Sequence, residues 1–290
     1  MSFMIEPALN PESGFRRLRI DLAYDGTNYA GWGIQPDQRT IQGVVEEAIS
    51  RFVRHPIKSV VAGRTDAGVH ATGQVIHVDI PANTVASRYH PDQEIFEPEN
   101  FKFRINQMLD SDIRLLRVSD APINFDARYS ATARRYRYKL LDGNRDLMPQ
   151  DRLSAVTWFR ELDIELMNQA SEQLLGKHDF LTFCRYREGA TTLRTLYDFR
   201  WSRDAAGFVI CDVAADGFGW NMVRNLVGAG VCVGEGRFDP SWMRQILEGA
   251  ARVSDSYVFP AAGLTLIAVD YPEPESSDLG PILTPTPFGG

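Results

Sequence analysis

The sequence predicts an α+β protein built from two similar halves, each a sheet with helices on one face. Three observations predict it. Several short segments alternate apolar and polar residues at period two, as half-buried strands do. Stretches between them place apolar residues at helical spacing. One arrangement also occurs twice: a strand, an Asp-Gly pair, a Trp and then a helix, once through Asp25-Gly26 and Trp32, again through Asp216-Gly217 and Trp220.

Met1 to Gly14 holds Pro7, Pro11 and Gly14 with little pattern and reads as a flexible arm. Leu18 to Tyr24 alternates as a strand, and Asp25-Gly26-Thr27-Asn28 ends it with turn residues. Tyr29 to Trp32 forms a short aromatic loop. Ile41, Val44, Val45, Ala48, Ile49 and Phe52 then fall on one helical face, with Thr40 placed to cap it. Gln74 to Ile80 is a strand, Pro81 to Asn100 an irregular connection, Phe101 to Leu109 a short helix and Ile113 to Val118 a strand. Arg134 to Leu140 is extended, and Asp142-Gly143-Asn144 turns the chain into a loop that runs to Ala155.

The second half opens with a helix over Leu162 to Leu175, stopped by Gly176. His178-Asp179-Phe180 reads as loop. Leu193 to Ser202 and Phe208 to Val213 pair across Asp204-Ala205-Ala206-Gly207. Asn221 to Val233 and Trp242 to Ala251 are helices, and Leu264 to Val269 is a closing strand. Five prolines in the last nineteen residues predict a disordered tail. The expected division is an arm over 1–14, a half over 15–150, a second half over 151–271 and a tail over 272–290.

An apolar share of 44% supports a sizeable core, and no apolar run approaches the roughly 20 residues of a membrane helix. The start lacks the charged-then-apolar layout of a secretory signal, and three widely spaced cysteines (Cys184, Cys211, Cys232) fit reduced thiols, so a cytoplasmic location is expected. A net charge of −7 counts mildly against nucleic acid, although binding needs only a local basic surface.

The stretch most charged with chemistry is Gly63-Arg64-Thr65-Asp66-Ala67-Gly68-Val69-His70. Asp66 stands on a turn between two glycines, either bonding its own backbone or presented to a ligand. A phosphate loop is excluded because Val69-His70 stands where Lys-Ser/Thr is needed. Zinc is disfavoured by the seven-residue spacing of His70 and His77 with no cysteine pair nearby. No GxSxG turn exists to present a serine. What remains is a carboxylate acting as nucleophile or base beside Arg64.

Arg224 is the only charged residue between Asp216 and Glu235. An unpaired arginine is costly to bury, so it either reaches water or meets a carboxylate, and Asp66 is the candidate. Arg128, Arg134, Arg135, Arg137 and Lys139 form a basic run without an acid. On a strand, Tyr136 and Tyr138 share one face while Arg135, Arg137 and Lys139 share the other. That pattern fits a solvated strand with tyrosines in the core, or an RNA surface with cations on phosphates and a ring on an unstacked base.

Gly63 to Ala71 resembles the signature of the tRNA pseudouridine synthase A (TruA-type) family. Phe125 to Tyr138 is similar to its second motif, Phe218 to Gly228 to its third and Phe259 to Leu264 to its last. The likeness runs from about Leu18 to Pro272. It implies a pseudouridine synthase fold with a continuous mixed or antiparallel sheet and a central cleft. It also implies isomerisation of uridine to pseudouridine at positions 38, 39 and 40 of the anticodon stem and loop, without metal or organic cofactor. Asp66 would be the nucleophile, Tyr136 the residue that stacks on the base and moves a proton, and Arg224 the ion-pair partner of Asp66. Arg64, Arg128, Arg135 and Arg137 would bind substrate, tRNA would be the partner, and the enzyme would be a homodimer with no membrane contact. His178, Asp179, Phe180 and Arg194 match family positions without a clear chemical role. Gly33 departs from the pattern, which usually has glutamine after Trp32. Two other classes share parts of this pattern: a non-catalytic tRNA-binding module, and a nucleoside hydrolase that would free uracil.

Overall fold

Eleven strands pair into one mixed sheet, seen in a computed structural model that describes residues 9–10, 14–86, 96–185, 188–189, 191–249 and 257–272. The expected tail beyond residue 272 and most of the N-terminal arm lie outside the described residues. Leu9–Asn10 of the arm forms β1, paired antiparallel with β2 (Phe15–Tyr24).

The first half follows the alternation read in the sequence. In β2, Leu18, Ile20, Leu22 and Tyr24 point into the core. β2 pairs antiparallel with β4 (His70–Pro81) and with β5 (Ile113–Asp120), while β3 (Ser59–Val61) pairs with β4. Helix α1 (Ile41–Val53) begins where Thr40 accepts a hydrogen bond from the Gly43 amide. Within the stretch expected to be irregular, β4 continues to Pro81 and α2 (Pro98–Met108) starts three residues before Phe101, with Pro98 in its first turn. Proline suits that position because its missing N–H would have no helical partner there.

The second half contains β6 (Ala133–Leu141), β7 (Val156–Thr157), α3 (Ile164–Glu172), β8 (Gly176–Asp179), β9 (Leu193–Arg203), β10 (Val209–Ala215), α4 (Met222–Gly234) and α5 (Trp242–Leu247). Asp163 caps α3 by accepting from the Glu165 and Leu166 amides, so the helix starts later than Leu162. His178-Asp179, expected in a loop, instead lies in β8 opposite Leu193-Arg194. Four residues give too short a period-two signal to be told from loop.

The sheet runs β1-β2-β4-β11-β6-β10-β9-β8, where β11 (Leu264–Asp270) joins the halves. It lies parallel to β4 and antiparallel to β6. By position in the chain β6 falls within residues 15–150, yet it pairs with β10 and β11. Register sets Tyr24, Ala71, Leu266, Tyr136, Val213 and Phe199 opposite one another in a row across the middle of the sheet. Along β6, Arg134, Tyr136, Tyr138 and Leu140 are buried, and Arg135 and Arg137 are exposed on the other face. Among the described residues no helix is long and apolar enough to cross a membrane.

Candidate active site

The loop from Ala62 to Val69 is pinned along its backbone, while the Asp66 carboxylate has no hydrogen-bond partner among the described residues. The Ala62 amide donates to Val75 O and the Gln74 side chain donates to Gly63 O. Buried Thr65 shares a hydroxyl–hydroxyl hydrogen bond of 2.8 Å with Tyr24, and its carbonyl accepts from the Trp32 amide. The Val69 amide then closes a turn onto Asp66 O at 3.1 Å, with Gly68 at φ 77° in its third position. Gly31, at φ 94°, lets the neighbouring loop pass so close that an added Cβ would stand 2.9 Å from Thr65 O.

Asp66 thus uses its main chain for the turn and not its carboxylate. The side chain accepts no hydrogen bond among the described residues, so a self-bonded turn aspartate is not what is found. Burial raises its carboxyl above the ordinary carboxylate range, and the positive charge of Arg224 works in the opposite direction.

Arg224 departs from the expected contact ion pair. Its Nε donates to Phe259 O at 2.5 Å and one terminal nitrogen reaches Asn221 Oδ1 at 3.4 Å. No ion pair within 4.0 Å joins it to Asp66 among the described residues. The two face one cleft of about 670 Å³ and interact through it. Arg224 is thus half-buried on the Phe259 carbonyl and the Asn221 side-chain oxygen, and it lines the cleft that it shares with Asp66.

The same cleft is lined by Arg64, Trp32, Gly33, Ile34, Arg185 and Trp220, among others. Tyr136 is not part of its wall. The ring is 7% exposed and meets Phe218 edge to face at 5.2 Å. Its hydroxyl makes no hydrogen bond among the described residues, while burial first, and then the charges on Tyr24 and Asp66, push its pKa up. Asp66 and Tyr136 are therefore electrostatic neighbours, with the phenol held protonated.

The remaining basic residues sort by partner. Arg135 pairs with Asp270 at 2.8 Å, Arg137 grips Asp212 with two hydrogen bonds, and Lys139 meets Asp151 at 2.7 Å. These side chains stand on the face of β6 opposite Tyr136, so the expected cationic row is a ladder of ion pairs pointing away from the cleft. The acids that neutralise it come from β10, β11 and a distant loop, where no local pattern announces them. Arg128 carries no carboxylate partner within 4.0 Å among the described residues and lies 5.2 Å from the Tyr129 ring.

Two residues emerge that the sequence reading did not single out. Arg134 was visible only as one of a basic run, yet it is 9% exposed and binds carbonyls from three segments. It donates to Ala62 O at the root of the Asp66 loop, to Arg128 O and Ala131 O, and to Asp216 O of the second half. Arg185 lines the cleft with its guanidinium 4.3 Å from the centre of the Trp220 ring. His178 and Arg194 are occupied by backbone carbonyls close to them in sequence and do not line the cleft.

A profile described as tRNA pseudouridine synthase matches residues 22–130 and 170–272, which is well over half of the chain. The chain belongs to the tRNA pseudouridine synthase family. This is a family of isomerases. Individual relatives agree. A protein named tRNA pseudouridine synthase A from Mycobacterium leprae is 45% identical over 259 residues, covering 88% of this chain and 90% of that one. The protein of that name from Frankia casuarinae is 44% identical across 95% and 99% of the two chains. That from Leifsonia xyli is 46% identical across 88% and 92%. A solved chain from a Cbf5-Nop10-Gar1 complex aligns at 14% identity over 74% of this chain and 54% of that one, with a TM-score of 0.29, too slight a likeness to argue from.

Proposed function

We propose that this family member converts uridine to pseudouridine in the anticodon stem and loop of tRNA, at positions 38, 39 and 40, with Asp66 as the reacting group and without metal or organic cofactor. The observation that carries this reading is the Asp66 carboxylate itself. It is half-buried in a cleft and, among the described residues, accepts no hydrogen bond and faces Arg224 without a contact pair. A catalytic carboxylate needs that freedom, because a group already holding a structural hydrogen bond would have to release it before reacting.

The reaction breaks the bond between N1 and C1′, turns the retained uracil and joins C5 to C1′. C5 gives up its hydrogen as a proton and N1 gains one, so the product is an isomer. A carboxylate can begin this by adding to C1′, by adding to C6, or by removing the 2′ hydrogen. Burial favours the protonated form of Asp66, and the charge of Arg224 opposes it by favouring the ionised carboxylate. Tyr136, whose ring lies buried behind the cleft wall with its proton retained, is the residue the family resemblance assigns to stack on the base and move a proton, a role that requires the pocket to open toward it. The uridine must leave its stack to enter, at a cost of a few kcal/mol that contacts to Arg64 and Arg128 offset. A homodimer in the cytoplasm is the assembly that the family resemblance implies.

The deciding experiment maps modified nucleotides in tRNA from a strain lacking this gene, before and after incubation with the purified protein. New pseudouridine at positions 38–40 is the expected result. Free uracil would indicate a hydrolase, and binding without any change in the nucleotides would indicate a non-catalytic module.

A further inference from the structure

Trp220 is the exposed member of the five tryptophans. Trp32, Trp201 and Trp242 are buried, Trp158 is half-buried, and Trp220 stands 44% exposed at the rim of the Asp66 cleft. Its position is built. Asn221, next in the chain, takes φ 61° and ψ 4°, a left-handed turn that non-glycine residues rarely adopt. That turn separates outward Trp220 from Met222, which is fully buried at the start of α4. Gly219 packs so tightly on Cys184 that an added Cβ would overlap its sulfur.

Arg185 completes the arrangement. Its amide donates to Trp220 O at 2.9 Å and its guanidinium lies 4.3 Å from the ring centre. The turn preceding it is tied to α4, because buried Asn225 donates to Phe183 O at 2.8 Å. Arg185 has no carboxylate within 4.0 Å among the described residues, in contrast to Arg135 and Arg137. An aromatic plane beside an unneutralised cation is what an unpaired nucleotide needs, since the base stacks and the phosphate takes the charge.

We propose that Arg185 and Trp220 form a seat for an unpaired nucleotide adjoining the uridine presented to Asp66. The assignment to a neighbouring nucleotide follows from depth. Asp66 is half-buried and Tyr136 almost wholly so, whereas Trp220 stands at the mouth, where the next part of the RNA must pass. This seat rests on the proposed function above and adds a second nucleotide to the substrate that the cleft recognises.

The test uses the full chain and an unmodified tRNA transcript. Iodide quenching reads the exposure of Trp220, and tritium release from 5-tritiated uridine reads turnover. RNA binding should shield a quenchable tryptophan that is missing in Trp220→Phe. Trp220→Ala should raise KM about fivefold to a hundredfold, the span of base–aromatic stacking, with kcat altered less than threefold. Trp220→Phe, which keeps a stacking ring, should restore most of the lost affinity. Arg185→Gln should reduce the slope of log affinity against log salt by a little under one. An unchanged KM in Trp220→Ala, or a tryptophan equally quenchable in the complex, overturns the seat. Absence of tritium release by the unaltered protein overturns the proposed function instead, and the quenching arm then decides the seat by itself.

Discussion

Replacing Arg224 by glutamine probes the electrostatics of the site most sharply. The substitution removes a charge from the cleft wall while keeping a side chain of similar reach. Arg224 lies beyond 4.0 Å from the Asp66 carboxylate and acts on it through the cleft. Two unit charges at about 4 Å interact by about 1 kcal/mol in water and by about 4 kcal/mol at an effective dielectric constant near 20. Asp66 is half-buried in an open cleft and farther than 4.0 Å from Arg224, so the loss should lie below the larger of those figures. The sign follows from the cause: Arg224 disfavours the protonated carboxyl, so Asp66 keeps its proton to higher pH when Arg224 is gone. The acid limb of kcat/KM, measured by tritium release, should therefore move upward in pH. Within that limb the variant should lose up to several hundredfold, at about 1.4 kcal/mol per tenfold, and it should recover much of the loss on the alkaline side. Arg224→Lys, which retains the charge, should keep the limb close to its original position. A limb unmoved in Arg224→Gln would refute the electrostatic role given to this residue.

Arg134→Ala should destabilise the fold by about 4 kcal/mol or more in urea denaturation, because it strands carbonyls from three segments (Ala62, the loop holding Arg128 and Ala131, and Asp216), each hydrogen bond to a charged donor being worth roughly 1.5–3 kcal/mol; a loss under about 1 kcal/mol would mean that the clamp is dispensable. Arg64→Gln should lower the salt slope of tRNA binding by a little under one, whereas the double variant Arg135→Gln/Arg137→Gln should leave it unchanged because both are already paired. The opposite ranking would put RNA on the open face of the sheet. Asp142 is held down to about 2 by Arg203, the Leu162 amide and Arg145 despite its burial. Its contribution should be complete above the ordinary carboxylate range near pH 4 and fade as pH falls through about 2. Asp142→Asn should cost on the order of 2 kcal/mol or less at neutral pH, since both arginines are partly in water and screen the pair. A wild-type-minus-variant stability difference that stays constant from pH 5 to pH 2 would contradict that linkage.

The long elements were legible because their periodicity is local. β2, α1, β9 and β10 each repeat their pattern often enough to fix element type, and Thr40 marked the start of α1. β8 was hidden by its length, and β4 runs to Pro81 because a proline can end a strand whose amide is not needed. At the site, the turn around Asp66 could be read from its glycines. The state of its carboxylate could not, since its burial involves the loop around Trp32 some thirty positions before it and the charge of Arg224 arrives from more than 150 positions after it. Likewise the basic run on β6 looked free only because Asp212 and Asp270 are brought to it by pairing across strands. Trp220 was visible only as part of the repeated Asp-Gly-Trp arrangement, and its adjacency to Arg185 carried no signal, since it depends on the turn at Asn221 and the packing of Gly219 on Cys184.

The role of Asp66 is tested most directly by Asp66→Asn, assayed together for tRNA affinity and for tritium release from 5-tritiated uridine. The amide is nearly the same size and the side chain accepts no hydrogen bond among the described residues, so affinity should stay within a few fold of the original while release stops. Continued release by Asp66→Asn would contradict the assignment of the chemistry to this carboxylate.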